Sequence, residues 1–354
     1  MRLARMIMLV TLAIALLGCS GCSPQHELSN DLSDSIVTFA TDFVAPSGAY
    51  DEACVSMICS PDKLDYSLVA SLMMLVNDDI TVAQNTKTSS TGNEYILYKF
   101  TGNTGDGFYS ENTGSFLFST ARGEQISELI SLAAQMDSDK TYESEVISRI
   151  EIDKIMENIA SWFGEIKIEP YVVLPLSSNV LNEMNEKALP IFEQMEQEGF
   201  PIQYSKQYVA EDECYYVLMY AQYNNIPLYQ AEFWPANGVG NGISAPWIQL
   251  IVSADGIEYV EVNNMWAVRN TTIQGEIMSF ERACENYSKY HQQLIGEDMI
   301  AISNISLEYV PVMLDDENYT EVVEYRVAYV FERSDMYSME AFDAVTGEVL
   351  SWVE

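Results

Sequence analysis

The segment EVVEYRVAYVF (residues 321–331) reads as a strand with a period of two, so that Val323, Tyr325, Val327, Tyr329 and Phe331 fall on one side. A strand of this kind puts a row of large apolar side chains on one face and requires a layer to cover it. A covering helix is encoded upstream. Ser279 can cap it, Phe280, Ala283, Cys284, Tyr287, His291 and Leu294 line one stripe, and Gly296 can stop it. Residues 299–312, 336–343 and 348–353 read as further strands. The turn between the last two is Asp343-Ala344-Val345-Thr346-Gly347, in which Asp343 can form an Asx bond, Thr346 follows, and Gly347 supplies positive φ. Residues 276–354 are therefore expected to form one helix on an antiparallel sheet.

The preceding stretch repeats the theme. In residues 166–275, IKIEPYVVLPL is strand-like, and Ser178 or Asn179 can cap a helix with Leu181, Met184, Ala188, Phe192 and Met195 on one face. Pro190 inside it predicts a kink. Residues 202–209, 214–223, 247–254 and 257–262 read as strands, the last two joined by the hairpin pair Asp255-Gly256. Residues 233–247 (FWPANGVGNGISAPW) read as a long loop. Residues 61–165 form a less regular α+β region, with helices expected at 65–76, 124–136 and 143–163 and strands at 93–101 and 114–119. The intervening NTGDGFYSENTG reads as a hairpin loop; its acids and glycines lack the spacing of an EF-hand calcium site.

Of 354 residues, 53 are acidic and 17 basic, a net charge of −36. Such a body repels nucleic acid and anionic headgroups, so no nucleic-acid partner is expected. Six cysteines are few for a chain of this length. Cys54 and Cys59 are close enough in sequence to suggest a local disulfide, while Cys214 and Cys284 read as small buried hydrophobes.

The N-terminus has the organisation of an export signal. Arg2 and Arg5 precede a twelve-residue apolar run, residues 6–17, which is too short to span a bilayer. It ends in Leu16-Leu17-Gly18-Cys19, which resembles the bacterial lipobox. That resemblance implies cleavage before Cys19, with a covalent diacylglycerol on that cysteine. Two acyl chains suffice for stable anchoring to the outer face of the cytoplasmic membrane. Residues 1–18 are then the signal peptide and 19–60 the lipidated cysteine with a flexible tether. Cys22 is a poorer second candidate.

The closing AFDAVTGEVL (residues 341–350), after one helix and a sheet, resembles the PepSY-type module of secreted bacterial proteins. The stretch from WIQLIVSADGIEYVEV through IMSFERA to that hairpin is similar to the extracytoplasmic modules of the YycH and YycI regulators. With the lipobox, the chain is similar to uncharacterised lipoproteins of gut Clostridia and other Firmicutes. The resemblance implies an α+β fold of helix-on-antiparallel-sheet modules. It brings no catalytic residues, cofactor or metal.

Catalytic groups are sparse. The histidines are His26, in the tether, and His291, on the helix stripe with Cys284. Seven residues of helix separate those two by roughly 10 Å, too far for a thiol–imidazole pair. G-x-S-x-G, H-E-x-x-H and phosphate-loop motifs are absent. Asp315-Asp316-Glu317 reads as a solvated hairpin tip. The chain is expected to be a non-enzymatic binding or regulatory module of the cell envelope, with another envelope protein or peptide as partner. Two alternatives stand beside it. One is a surface protein binding a peptide or glycan through Tyr216, Tyr220, Trp234 and Trp247; the other is a hydrolase using a pair of acids.

Overall fold

The computed structural model describes residues 37–39, 43, 45, 54–61, 81–88, 94–111, 114–136, 147–199, 204, 207–230, 245–294, 299–312, 323–334 and 339–353. The signal segment, Cys19, the expected helix at 65–76 and Trp234 lie outside these residues. In chain order the elements are β1 (Val37–Phe39), β2 (Cys54–Pro61), β3 (Thr81–Thr88), β4 (Glu94–Thr101), β5 (Gly105–Ser110), β6 (Ser115–Thr120), α1 (Ala121–Met136), α2 (Ile152–Ala160), β7 (Lys167–Leu176), α3 (Ser178–Gln197), β8 (Cys214–Tyr223) and β9 (Ile226–Pro227). They continue with β10 (Trp247–Ser253), β11 (Gly256–Asn263), β12 (Trp266–Gly275), α4 (Phe280–Leu294), β13 (Ile300–Val312), β14 (Val323–Arg333), β15 (Met339–Asp343) and β16 (Val349–Val353). The fold is α+β, and the sheet that holds β13 and β14 is mixed, because β1 runs parallel to β13 while the other registered strand pairs are antiparallel.

The chain forms two compact units, and neither is continuous in sequence. One takes its residues from Pro61–Ala221 and Ala245–Trp266, the other from Gly21–Ser60, Gln222–Ser244 and Ala267–Glu354. The expected boundaries at 61, 166 and 276 imply three consecutive blocks after the tether, and the units do not follow them. The interleaving arises because β11 pairs with β6, which joins strands from the expected first and second blocks in one sheet.

In the first unit the strand order is β3-β4-β5-β6-β11-β10-β8-β7. Helices α1 and α3 bury Ile126, Leu129, Ile130, Leu181, Met184 and Phe192 against one sheet face that carries Tyr216, Leu218, Trp247 and Ile251. Tyr215 points the other way by strand alternation, and its hydroxyl accepts the Ile147 amide at 3.1 Å. Several elements differ from expectation. The expected helix at 143–163 is short, because residues 147–150 are irregular and Ser161–Phe163 tighten into a 3-10 turn. Helix α3 runs unbroken through Pro190, with Ser177 as its cap, accepting from Val180. Tyr204 and residues 207–209 are not in a strand. The glycine-rich stretch read as a loop contains β5, whose Gly107 lies so close to Leu117 that a Cβ would meet its carbonyl oxygen. Absence of a side chain is what lets β5 lie flat on β6 there.

In the second unit β14 is central. It pairs with β13 along ten registered positions on one edge and shares its other edge between β2, at residues 323–325, and β15, at 328–332. Helix α4 covers one face. The expected flexible tether over 19–60 is corrected here: β1 pairs with β13 and β2 with β12 and β14. Val37, Phe39 and Phe43 explain the difference, since Val37 and Phe43 are buried and Phe43 stacks on Phe280 with ring centres 4.3 Å apart. The Cys54–Cys59 disulfide is likewise corrected. Both are free and buried. Five residues apart on one strand, they point to opposite faces and lie roughly 16 Å apart along it, beyond the span of a disulfide.

The final turn is held by Asp343, whose Oδ1 accepts the amides of Val345 and Thr346, each at 2.9 Å. Gly347 donates its amide to the Asp343 carbonyl at 2.8 Å and has φ +76°. A Cβ at Gly347 would also collide with the Asn286 amide on α4. Gly347→Val is expected to lower stability by about 1–3 kcal/mol, the range for a strained backbone position. An unchanged melting temperature would contradict this account of the turn.

Candidate functional site

Helix α4 brings Tyr287 and His291 to one stripe, four residues apart, and the β14–β15 register sets Glu340 opposite Phe331 beneath that stripe. The three side chains converge on one atom. Glu340 Oε2 accepts from the Tyr287 hydroxyl at 2.5 Å and lies 2.8 Å from His291 Nε2. The Tyr287 ring packs 4.3 Å from Phe331 and 4.5 Å from the imidazole, centre to centre. Burial pushes the Glu340 carboxyl upward, but the hydrogen bonds from His291 and Tyr287 outweigh it and hold it below the usual carboxylate range.

A serine also lies nearby. Ser288 precedes His291 by one helical turn, and its Oγ, like His291 Nδ1, is buried with no hydrogen-bond partner. A serine, a histidine and an acid thus share one region, but Ser288 does not hydrogen-bond to the imidazole. Ser288 is 3% exposed and His291 2%. Substrate has no access to either, whereas nucleophilic catalysis needs nucleophile and base in contact at an open surface. Burial also pushes the Cys284 thiol, two turns away, up to about 12, so it is no thiolate at neutral pH.

Acids gather around Arg122 in the first unit. Its Nη1 is 2.9 Å from Glu258 and 3.0 Å from Asp255, and its Nε is 3.6 Å from Asp212. Glu258 is buried and also accepts from Thr120 at 2.6 Å and Ser253 at 2.7 Å. Its oxygens are thus occupied by structural donors. Another acid, Glu308, lies on β13, where burial pushes its carboxyl up to about 7, a Ser306 hydrogen bond opposing and Glu332 reinforcing the shift. Among the described residues no group of three His, Cys, Asp or Glu is placed to hold a metal ion, and no helix is long and apolar enough to cross a membrane.

The aromatic residues singled out in the sequence do not form an open surface. Tyr216 and Trp247 are in the core under α1 and α3. Tyr220 is half-buried and packs 4.5 Å from Tyr171, a contact between β8 and the edge strand β7 that their separation in sequence conceals. A concave site that the sequence did not reveal lies elsewhere in the first unit. It has a volume of about 390 Å³, a floor of Ile147, Ile150, Ile152 and Tyr215, and a rim that includes Ser148 and Lys154. The loop ahead of α2, the first turn of that helix and Tyr215 of β8 make it, and the loop reads as helix from periodicity.

Two outcomes are expected. Glu340→Gln and His291→Leu should each lower stability at neutral pH by about 1–3 kcal/mol, the usual cost of breaking a buried hydrogen-bonded group. Because Glu340 is depressed in the fold, its contribution is present above its unfolded value, near 4.5, and is lost as pH falls below that. The deficit of Glu340→Gln should therefore shrink in acid; a deficit constant down to pH 2 would refute the assignment. Glu308 works in the opposite sense. Between about 4.5 and 7 the folded state keeps a proton that the unfolded chain has released, so stability falls as pH rises through that window. Glu308→Gln should flatten that slope in chemical denaturation measured across it.

No protein-family model matches the chain, and no curated protein matches it. Among solved structures, the chain is similar to an uncharacterized protein from Eubacterium rectale ATCC 33656, with a TM-score of 0.55 and 14% identity over 98% of both chains. The C-terminal domain of Bacillus megaterium YpeB aligns with a TM-score of 0.29 and 10% identity, over 82% of this chain and 97% of that domain. What the first of these establishes is a similarity of fold.

Proposed function

We propose that the chain is an extracytoplasmic lipoprotein, anchored through diacylglycerol on Cys19 to the outer face of the cytoplasmic membrane. It acts there as a non-enzymatic binding or regulatory module of the cell envelope, built on PepSY-like, YycH/YycI-like helix-and-sheet units. The observation that carries the non-enzymatic reading is the position of His291. The group best suited to acid–base chemistry near neutrality is buried and committed to Glu340. The signal segment and the lipobox-like Leu16-Leu17-Gly18-Cys19 support the anchor. The net charge of −36 favours neutral or basic partners, an envelope protein or peptide, over nucleic acid.

A second reading, a surface receptor for a peptide or glycan, is favoured by the cavity beside α2. Its size is within the range of small-ligand sites, and it joins an apolar floor to a polar rim. Ile150→Trp would fill it. Titration with tri-alanine or N,N′-diacetylchitobiose, followed by NMR shifts of residues 147–154, separates the two readings.

The anchor is tested directly. Cys19→Ala is expected to leave an unprocessed precursor and to abolish labelling by a fatty-acid probe in growing cells. Unchanged labelling would move the lipid to Cys22 or remove it from this account.

A further inference from the structure

The two ends of the first unit's sheet are built differently. At one end β7 carries Lys167, Glu169, Pro170 and Pro175. Charges and prolines on an edge strand block the addition of another strand. At the other end β3, TVAQNTKT, contains no proline and no acid, and Lys87 is its one charge. It pairs with β4 over all eight residues without a bulge, and among the described residues with nothing else. Every residue of β3 is exposed. A long, regular edge with one charge near its end presents a row of backbone donors and acceptors to another strand.

We infer that β3 is a homotypic docking edge, on which the β3 strand of a second copy of this chain adds in antiparallel register across a two-fold axis. The sequence of the strand commits the edge to that occupant. In a continuous sheet directly opposed residues point to the same side, so a two-fold axis must pass through a residue rather than between two. Only two such registers overlap seven of the eight residues. One sets Asn85 against Asn85, with Gln84 opposite Thr86, Ala83 opposite Lys87 and Val82 opposite Thr88. The other sets Gln84 against Gln84, with Ala83 opposite Asn85, Val82 opposite Thr86 and Thr81 opposite Lys87. In both, an amide meets its own copy on the axis and no charge faces a like charge, the arrangement that favours cross-strand pairs. In a chain of net charge −36, an acid-free strand is also where two copies approach with least local repulsion.

A single strand edge is small beside the roughly 1,200 Å² of a stable complex, so the dimer is weak in dilute solution. It strengthens with salt, which screens the repulsion between bodies. Membrane anchoring, which rests on the reading given above, would raise the effective concentration of copies. The dimer itself is measured on the full chain in detergent and does not depend on that reading.

Two measurements test the proposal. Asn85→Cys and Gln84→Cys each place a thiol at one of the two possible axes. One of them is expected to form a covalent dimer under mild oxidation that neither the unsubstituted chain nor Val173→Cys on β7 forms. In sedimentation equilibrium, Ala83→Lys sets a charge opposite or diagonal to the partner copy's Lys87 and should weaken association roughly 2- to 30-fold, from two charge contacts of ordinary strength. Ala83→Glu should tighten it by a similar factor, and adding Lys87→Glu to Ala83→Lys should restore it. Absence of a cross-link from both cysteine variants overturns the proposal, as does a chain that stays monomeric at millimolar concentration and high salt. A dimer indifferent to all three charge variants overturns it as well, because its interface must then lie elsewhere.

Discussion

Strand β14 has more hydrogen-bonding edge than one partner can fill, and the second unit follows from how that edge is divided. One side is taken entirely by β13. The other is split, with β2 taking the N-terminal end and β15 the C-terminal end. A strand shared in this way must be apolar on both faces. The alternation Val323, Tyr325, Val327, Tyr329, Phe331 supplies the face under α4, while Ala328 and Val330 supply the other, against Tyr229 and Val310. Because β2 comes from the early part of the chain, pairing Cys59 with Val323 closes a loop of roughly three-quarters of the polypeptide. Contacts of such sequence separation are slow to form. The short turn at Asp343–Gly347 offsets part of that by making the β15–β16 pairing local.

The first unit depends on a buried carboxylate. Glu258 accepts from Thr120, Ser253 and Arg122, and those residues belong to the β6–α1 junction, the end of β10 and the start of α1. Gly123 then donates its amide to Thr120 Oγ1, which caps α1. A desolvated charge is tolerable only when its hydrogen-bonding capacity is filled. Here it is filled by groups that the fold must bring together, so the network forms only when the β10–β11 hairpin and the helix are correctly seated.

Much of this architecture was legible in the sequence, and the omissions have physical causes. The C-terminal helix and the four strands after it follow from periodicity, because each buries one face against a single layer. The Asp255-Gly256 hairpin was equally plain. Strand β3 was missed because both its faces are exposed, so TVAQNTKT carries no alternation to detect. Strand β5 was missed because Gly105 and Gly107, which signal a loop, serve a close approach to β6 instead. Pro190 signals a break, yet α3 continues through it. In the candidate sites, the stripe placed His291 on the buried side of its helix. Glu340 could not be named as its partner, because that contact depends on a β14–β15 register that no local pattern encodes.

The arrangement of the cysteines has a consequence for how the protein matures. Cys54, Cys59, Cys214 and Cys284 are all buried as free thiols, on separate elements or on opposite faces of one strand. Burial raises Cys54 to about 11 and Cys59 to about 12, and moves the other two in the same direction. A protonated, enclosed thiol is a poor nucleophile for disulfide exchange. These four positions therefore call for no native cross-link: none is paired in the described fold, and once folded each thiol is shielded from exchange whether its surroundings are oxidising, reducing or anoxic.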